Sequence, residues 1–202
     1  MRDLPKVEAL FSKAEALSKE GDYQTSIEIY SGILTDWKDH AGVCERASAG
    51  LGEVYVNLRD LRLAEEYLKQ AVGYNPLAPH YHYLLGFIYS VGCQWKSAMI
   101  EFEVAVKQEP ENSEHLRGLG WVLCNCGKPS EGRAYLLRAL VLAPDDVSIL
   151  GNLAFAYADA REFDKALDYA QRATSIAPTN ALVRAVYEVI AGIRHFAENT
   201  DR

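Results

Sequence analysis

The chain has 202 residues, 49% of them hydrophobic and 24% charged, with a formal net charge of −7. That length fits one ordinary domain or one continuous repeat array, able to bury roughly 70% of its unfolded surface if compact. No charge-rich or Pro/Gly/Ser-rich tract is long enough to stay disordered, and the negative field disfavours nucleic acid and anionic lipid as partners.

The sequence opens Met1-Arg2-Asp3-Leu4-Pro5-Lys6, with charges and proline where a signal peptide needs an apolar stretch, and no apolar run reaches ~18 residues. A cytoplasmic protein with no membrane insertion is expected. Cys44, Cys93, Cys124 and Cys126 are too few and too irregularly spaced for a disulfide framework, so free thiols are expected.

A period of 34 residues organises the chain. Pro76, Pro110, Pro144 and Pro178 recur at that spacing, each closing an apolar-periodic stretch. In the same register Leu51, Leu85, Leu119 and Leu153 align, followed by the small residues Gly52, Gly86, Gly120 and Ala154, and then by Tyr55, Tyr89, Leu123 and Tyr157. Small residues return at Ala64, Ala98, Gly132 and Ala166, and alanines at Ala71, Ala105, Ala139 and Ala173.

Each window, 45–78, 79–112, 113–146 and 147–180, splits at a turn near Arg59-Asp60, Gly92-Cys93, Gly127-Lys128 or Arg161-Glu162 into two halves with helical spacing. The paired small residues let the two helices approach closely, and the terminal proline stops the second. A looser window covers 7–40, with four extra residues before the next one, read as a longer helix and loop around Trp37 to Cys44. The spacing predicts helices at about 5–19, 23–37, 44–58, 61–74, 79–91, 95–108, 113–126, 129–142, 147–159, 163–176 and 181–197. In the last of these Val183, Val186, Tyr187, Ile190 and Ile193 share one face, with Arg184, Glu188, His195 and Glu198 opposite, which suits a capping helix over the open end of the array.

The run Leu-Gly-x-x-Tyr at Leu51-Gly52-Glu53-Val54-Tyr55 and Leu85-Gly86-Phe87-Ile88-Tyr89 is followed by the small residue, the bulky place at Leu68, Phe102 or Leu136, the alanine and the proline. This pattern resembles the tetratricopeptide repeat over about residues 7–197. It departs at the first aromatic place, usually Trp in the family and here Ser48, His82, Leu116 and Leu150. The resemblance implies an all-α, right-handed α-solenoid of about five repeats plus a capping helix, forming a single domain over 1–202. It also implies a non-catalytic adaptor or scaffold that binds a protein or peptide on its concave face, without cofactor or metal. The alternative is a structural module that self-associates through its ends or edges as a homo-oligomer. Chaperone-binding members carry a Lys and Asn clamp for a C-terminal carboxylate. The equivalent places here hold Phe11, Glu15, Gly50, His80 and Leu84, so no affinity for such peptides is expected.

Catalytic and metal motifs fail on inspection. Gly127-Lys128-Pro129-Ser130 lacks the earlier glycine and the preceding strand of a phosphate loop, and Pro129 reads instead as the opening of a helix. Cys124-Asn125-Cys126 points two thiols about 200° apart on a helix. His80, His82 and His115 read as polar residues at helix starts.

The second, fifth, ninth, twelfth and thirteenth places of each first helix form an arc of about 100° that the hairpin core does not use. These are Arg46, Ala49, Glu53, Val56 and Asn57; then His80, Tyr83, Phe87, Ser90 and Val91; then Glu114, Arg117, Trp121, Cys124 and Asn125; then Ser148, Gly151, Phe155, Ala158 and Asp159. Aromatic residues at the ninth place in three windows, with Tyr83 and Arg117 beside them, have the composition of a binding hot spot. Arg46 and Arg117 are expected to meet acidic groups of a partner, and Glu53 and Asp159 basic ones.

Overall fold

The computed structural model describes residues 4–200, the last three by their backbone alone, so Glu198 of the polar face lies outside the described side chains. Among the described residues there are eleven helices and no strand. They are α1 (Leu4–Glu20), α2 (Tyr23–Asp36), α3 (Ala41–Asn57), α4 (Leu61–Tyr74), α5 (Pro79–Val91), α6 (Trp95–Gln108), α7 (Ser113–Asn125), α8 (Pro129–Leu142), α9 (Val147–Asp159), α10 (Phe163–Ile176) and α11 (Ala181–Thr200). They divide into two compact units at Gln108 and Glu109, with α1 to α6 in the first and α7 to α11 in the second.

Consecutive helices pair as hairpins, and within each unit the hairpins stack on one another in chain order, the local geometry of a helical solenoid. The turn inside each hairpin puts one residue into the left-handed region, at Gly21, Arg59, Cys93, Gly127 and Arg161. The backbone N–H just after that residue then reaches back, as from Asp60 to the Tyr55 carbonyl at 3.0 Å, which closes the helix and reverses the chain. Asp22, Asp60, Asn112 and Asp146 accept backbone N–H groups at helix starts, and Pro129 opens α8.

The core is the repeat register made solid. Leu51, Leu85, Leu119 and Leu153 are buried, as are Ala64, Ala98 and Ala166 and the four alanines from Ala71 to Ala173. A Cβ on Gly52 would meet the Leu68 side chain at 2.6 Å and one on Gly86 would meet Phe102 at 3.0 Å, so in those hairpins the small residue seats the bulky one.

Two expectations need correction, on the histidines and on α11. The longer helix read from the four extra residues is present: they form an additional turn at the front of α3, which begins at Ala41, three residues before the expected start. Trp37 is buried there, edge-on to the His40 ring, and its carbonyl accepts from the Cys44 thiol at 3.3 Å. His82 and His115 are not polar helix ends but buried core residues. His82 fills the place the family usually gives to Trp. Its Nδ1 lies 2.6 Å from a Glu101 carboxylate oxygen and its Nε2 2.9 Å from the Pro76 carbonyl, which satisfies a polar ring in an apolar layer. On α11 the core stripe is Val183, Val186, Ile190, Arg194 and Ala197, while Tyr187 and Ile193, read as packing residues, are exposed.

Tyr30 of α2 lies against Gly50 of α3, where a Cβ would come within 2.4 Å of its ring. Burial, and then the Glu15 and Glu53 carboxylates, push its hydroxyl up to about 12 from an ordinary 10.0. The folded state therefore holds that proton more tightly than the unfolded chain. The contribution is complete below the unfolded value and is lost as pH rises through the folded one. Stability is expected to fall between pH 10 and 12, and Tyr30→Phe to fall less steeply, as read from urea midpoints across that window. Equal slopes would contradict this. Tyr81, also raised to about 12, first by burial, contributes in the same direction, as do Tyr67, Tyr89 and Tyr169, which burial also raises.

α11 packs on α10 and α9, with Ile190 fully buried beneath it. Deleting 181–202 is expected to uncover the apolar edge of the α9–α10 hairpin, lower the melting temperature and promote aggregation. A truncated chain that stays monomeric with unchanged melting would contradict the capping role.

Candidate functional site

The expected binding residues belong to both units. In the first unit, Arg46 of α3 is engaged within the chain. Its guanidinium bonds Glu8 at 2.6 Å and Glu15 at 2.8 Å, both on α1, and lies 4.1 Å from the centre of the Phe11 ring. Ala49, placed in the open arc by its spacing, is buried. Glu53 is held by His80 Nε2 at 2.8 Å. Asn57 is exposed and, with Glu53, Lys19 and Tyr30, borders a polar cleft of about 340 Å³. Tyr83 sets its ring edge-on to Phe102 at 5.8 Å, and Phe87 is half-buried on α5. The charged groups of this face are thus largely paired with one another.

In the second unit the balance shifts to apolar contact. Trp121 of α7 and Phe155 of α9 stand edge to face with ring centres 6.4 Å apart, and the Asn125 side chain turns back to donate to the Trp121 carbonyl at 2.8 Å. Arg117 is half-buried one turn before Trp121, and Asp159 is exposed at the end of α9.

Phe155 is 41% exposed, although it sits mid-helix between buried neighbours. Two clefts flank it. One, of about 370 Å³, is bounded by Ser148, Gly151, Asn152, Leu182, Val183 and Val186, and the other, of about 440 Å³, by Asp159, Arg161, Phe163, Ile193 and Phe196. Both lie between α9 and α11. The α11 residues of this face were missed because α11 was read only as a cap. Continuing the 34-residue register from 181 puts Leu182, Ala185, Val189, Gly192 and Ile193 at the same five places as the other arcs.

Among the described residues no group of three or more His, Cys, Asp or Glu side chains could hold a metal ion, and no helix is long and apolar enough to cross a membrane. All four cysteines are free thiols, and burial pushes the Cys124 thiol up, away from the reactive thiolate.

A family model described as the tetratricopeptide repeat matches residues 45–190, well over half of the chain. The chain belongs to the tetratricopeptide-repeat family, whose members serve as scaffolds for protein or peptide partners. Solved structures agree on the fold. PilW, described as a widely conserved type IV pilus biogenesis factor, superposes with a TM-score of 0.82 at 19% identity, covering 95% of this chain and 87% of its own. The pilF protein of Pseudomonas aeruginosa gives 0.77 at 18% identity, with 95% and 86% covered. YrrB, described as a TPR protein with an unusual peptide-binding site, gives 0.71 at 22% identity, with 89% and 90% covered. No curated protein matches in sequence.

Proposed function

We propose that this chain is a non-catalytic adaptor whose first-helix faces capture an extended or helical segment of a partner protein through apolar anchors. The observation that carries the reading is Phe155. A large aromatic ring on a well-packed helix stays exposed, touches Trp121, and has a cleft on either side wide enough for side chains. Trp and other aromatic anchors in pockets dominate binding energies at protein interfaces, and each removes much apolar surface from water when covered. The first unit presents Tyr83 and Phe87 at the equivalent places of α5.

The charged places act by selection more than by anchoring. Arg46 is already paired with Glu8 and Glu15, and Glu53 with His80, so a partner must displace those groups to reach them. Asp159 is exposed at the rim of one Phe155 cleft and favours a basic residue there. YrrB, of similar fold, carries a peptide-binding site, which agrees in kind with this use of the face. The test is capture by immobilised protein from a host lysate, with the wild-type chain beside Trp121→Ala/Phe155→Ala at equal helical content. A partner retained by the wild type and lost by the double variant supports the reading. Equal retention of every captured protein refutes it.

A further inference from the structure

Helix α11 is apolar over more of its circumference than its own packing uses. Its core stripe runs through Val183, Val186, Ile190 and Ala197. Beside it lies a second stripe, Leu182, Ala185, Val189, Gly192, Ile193 and Phe196, spanning about 100° of the helix. That stripe faces solvent. Leu182 is 74% exposed, Val189 52%, Ile193 48% and Phe196 70%. The polar residues Arg184, Glu188 and His195 occupy the remaining side.

The stripe has an internal order. Leu182, Val189 and Phe196 are seven residues apart, and Ala185 and Gly192 fall between them at the complementary heptad positions. Large and small residues therefore alternate along the seam. A helix with this alternation complements its own reverse. When a second α11 runs antiparallel, Phe196 of each copy lies over Ala185 of the other and Val189 over Gly192, so two of the three bulky residues, Phe196 and Val189, each meet a small one. On the flank, Glu188 of one copy falls close to His195 of the other, a hydrogen-bonding pair made twice by the two-fold axis. A parallel pairing would stack Phe196 on Phe196 and leave Gly192 facing Gly192.

We infer that α11 is a self-association site, and that two copies of this chain pair through antiparallel α11 helices about a two-fold axis. The occupant of the stripe is a second copy because the complementarity is to the same sequence reversed. The stripe shares Leu182, Ile193 and Phe196 with the rims of the Phe155 clefts, but substitutions at Gly192 and Val189, which line neither cleft, test it separately from Trp121 and Phe155.

Gly192 supplies the test. A Cβ there meets nothing within 4 Å in the single chain, so a longer side chain fits the fold and relieves a helical glycine, yet fills the gap that Val189 of the second copy needs. Light scattering coupled to size exclusion on the full chain, from about 1 to 100 μM, reads the outcome by mass action. The wild type is expected to rise from 22.5 kDa towards twice that mass, and Gly192→Arg and Val189→Glu to stay at 22.5 kDa with unchanged helical content. Arg184→Ala, on the polar side, is expected to pair like the wild type. A wild type that stays at 22.5 kDa through the range, a Gly192→Arg chain that pairs equally well, or an Arg184→Ala chain that fails to pair would each overturn the assignment.

Discussion

Gly132→Ala is expected to destabilise the protein by about 2 kcal/mol and to lower its melting temperature by roughly 4–8 °C, although alanine is the better helix former by about 1 kcal/mol. The reason is the closeness of α7 and α8. A Cβ on Gly132 would lie 2.5 Å from the Gly120 carbonyl oxygen, 2.5 Å from Cys124 Sγ and 2.8 Å from the Cys124 nitrogen. Two of those atoms are backbone, so no side-chain rotation relieves the clash, and the two helices must move apart along their shared core. The equivalent place is alanine in the other three windows, at Ala64, Ala98 and Ala166, so the other hairpins accommodate a methyl there. Gly32→Ala is the control. It lies mid-helix in α2 with nothing within 4 Å of its Cβ position, and is expected to stabilise by up to about 1 kcal/mol. A Gly132→Ala chain that melts at or above the wild-type temperature would contradict the close approach of α7 and α8.

That pair of glycines also marks how far the sequence could be read. The 34-residue period places Gly120 and Gly132 on facing sides of one hairpin, because both columns are held by small residues in every window. The helices, their turns and the leucine and alanine core followed from the same local periodicity, which backbone geometry and burial impose on each repeat alike. What failed to show were contacts between elements whose residues obey no period. Arg46 reads as a free groove cation, yet Glu8 and Glu15 reach it from α1, in the degenerate first window where the register is weakest. His82 reads as a polar helix end because its partners, Glu101 and the Pro76 carbonyl, come from outside its own helix. The turn of α11 about its own axis, which exposes Tyr187 and Ile193 while Val183 and Val186 stay half-buried, depends on how it meets α9 and α10. A helix with an apolar arc wider than one face offers several such settings, and only packing chooses among them.

The aromatic places were legible in part. Phe87, Trp121 and Phe155 stand out by register, and the contact between Trp121 and Phe155 follows from their equivalent places on successive first helices. Their exposure did not follow, since it depends on how much of each ring the next helix covers. Phe155 keeps its exposure because α11 presents Val183 and Val186 on one side and Ile193 and Phe196 on the other, leaving the ring as a ridge between two clefts.

The adaptor reading stands on that ridge, and the affinity of a captured partner segment for Trp121→Ala/Phe155→Ala tests it most directly. Each ring removed from the centre of an interface costs about 2 kcal/mol or more, and two rings in contact act together, so the double variant is expected to bind at least about 100-fold more weakly by calorimetry. Its circular dichroism should match that of the wild type, because neither ring belongs to the buried core. A folded double variant that binds the same segment within about threefold of the wild type would contradict the account and place the partner on another surface.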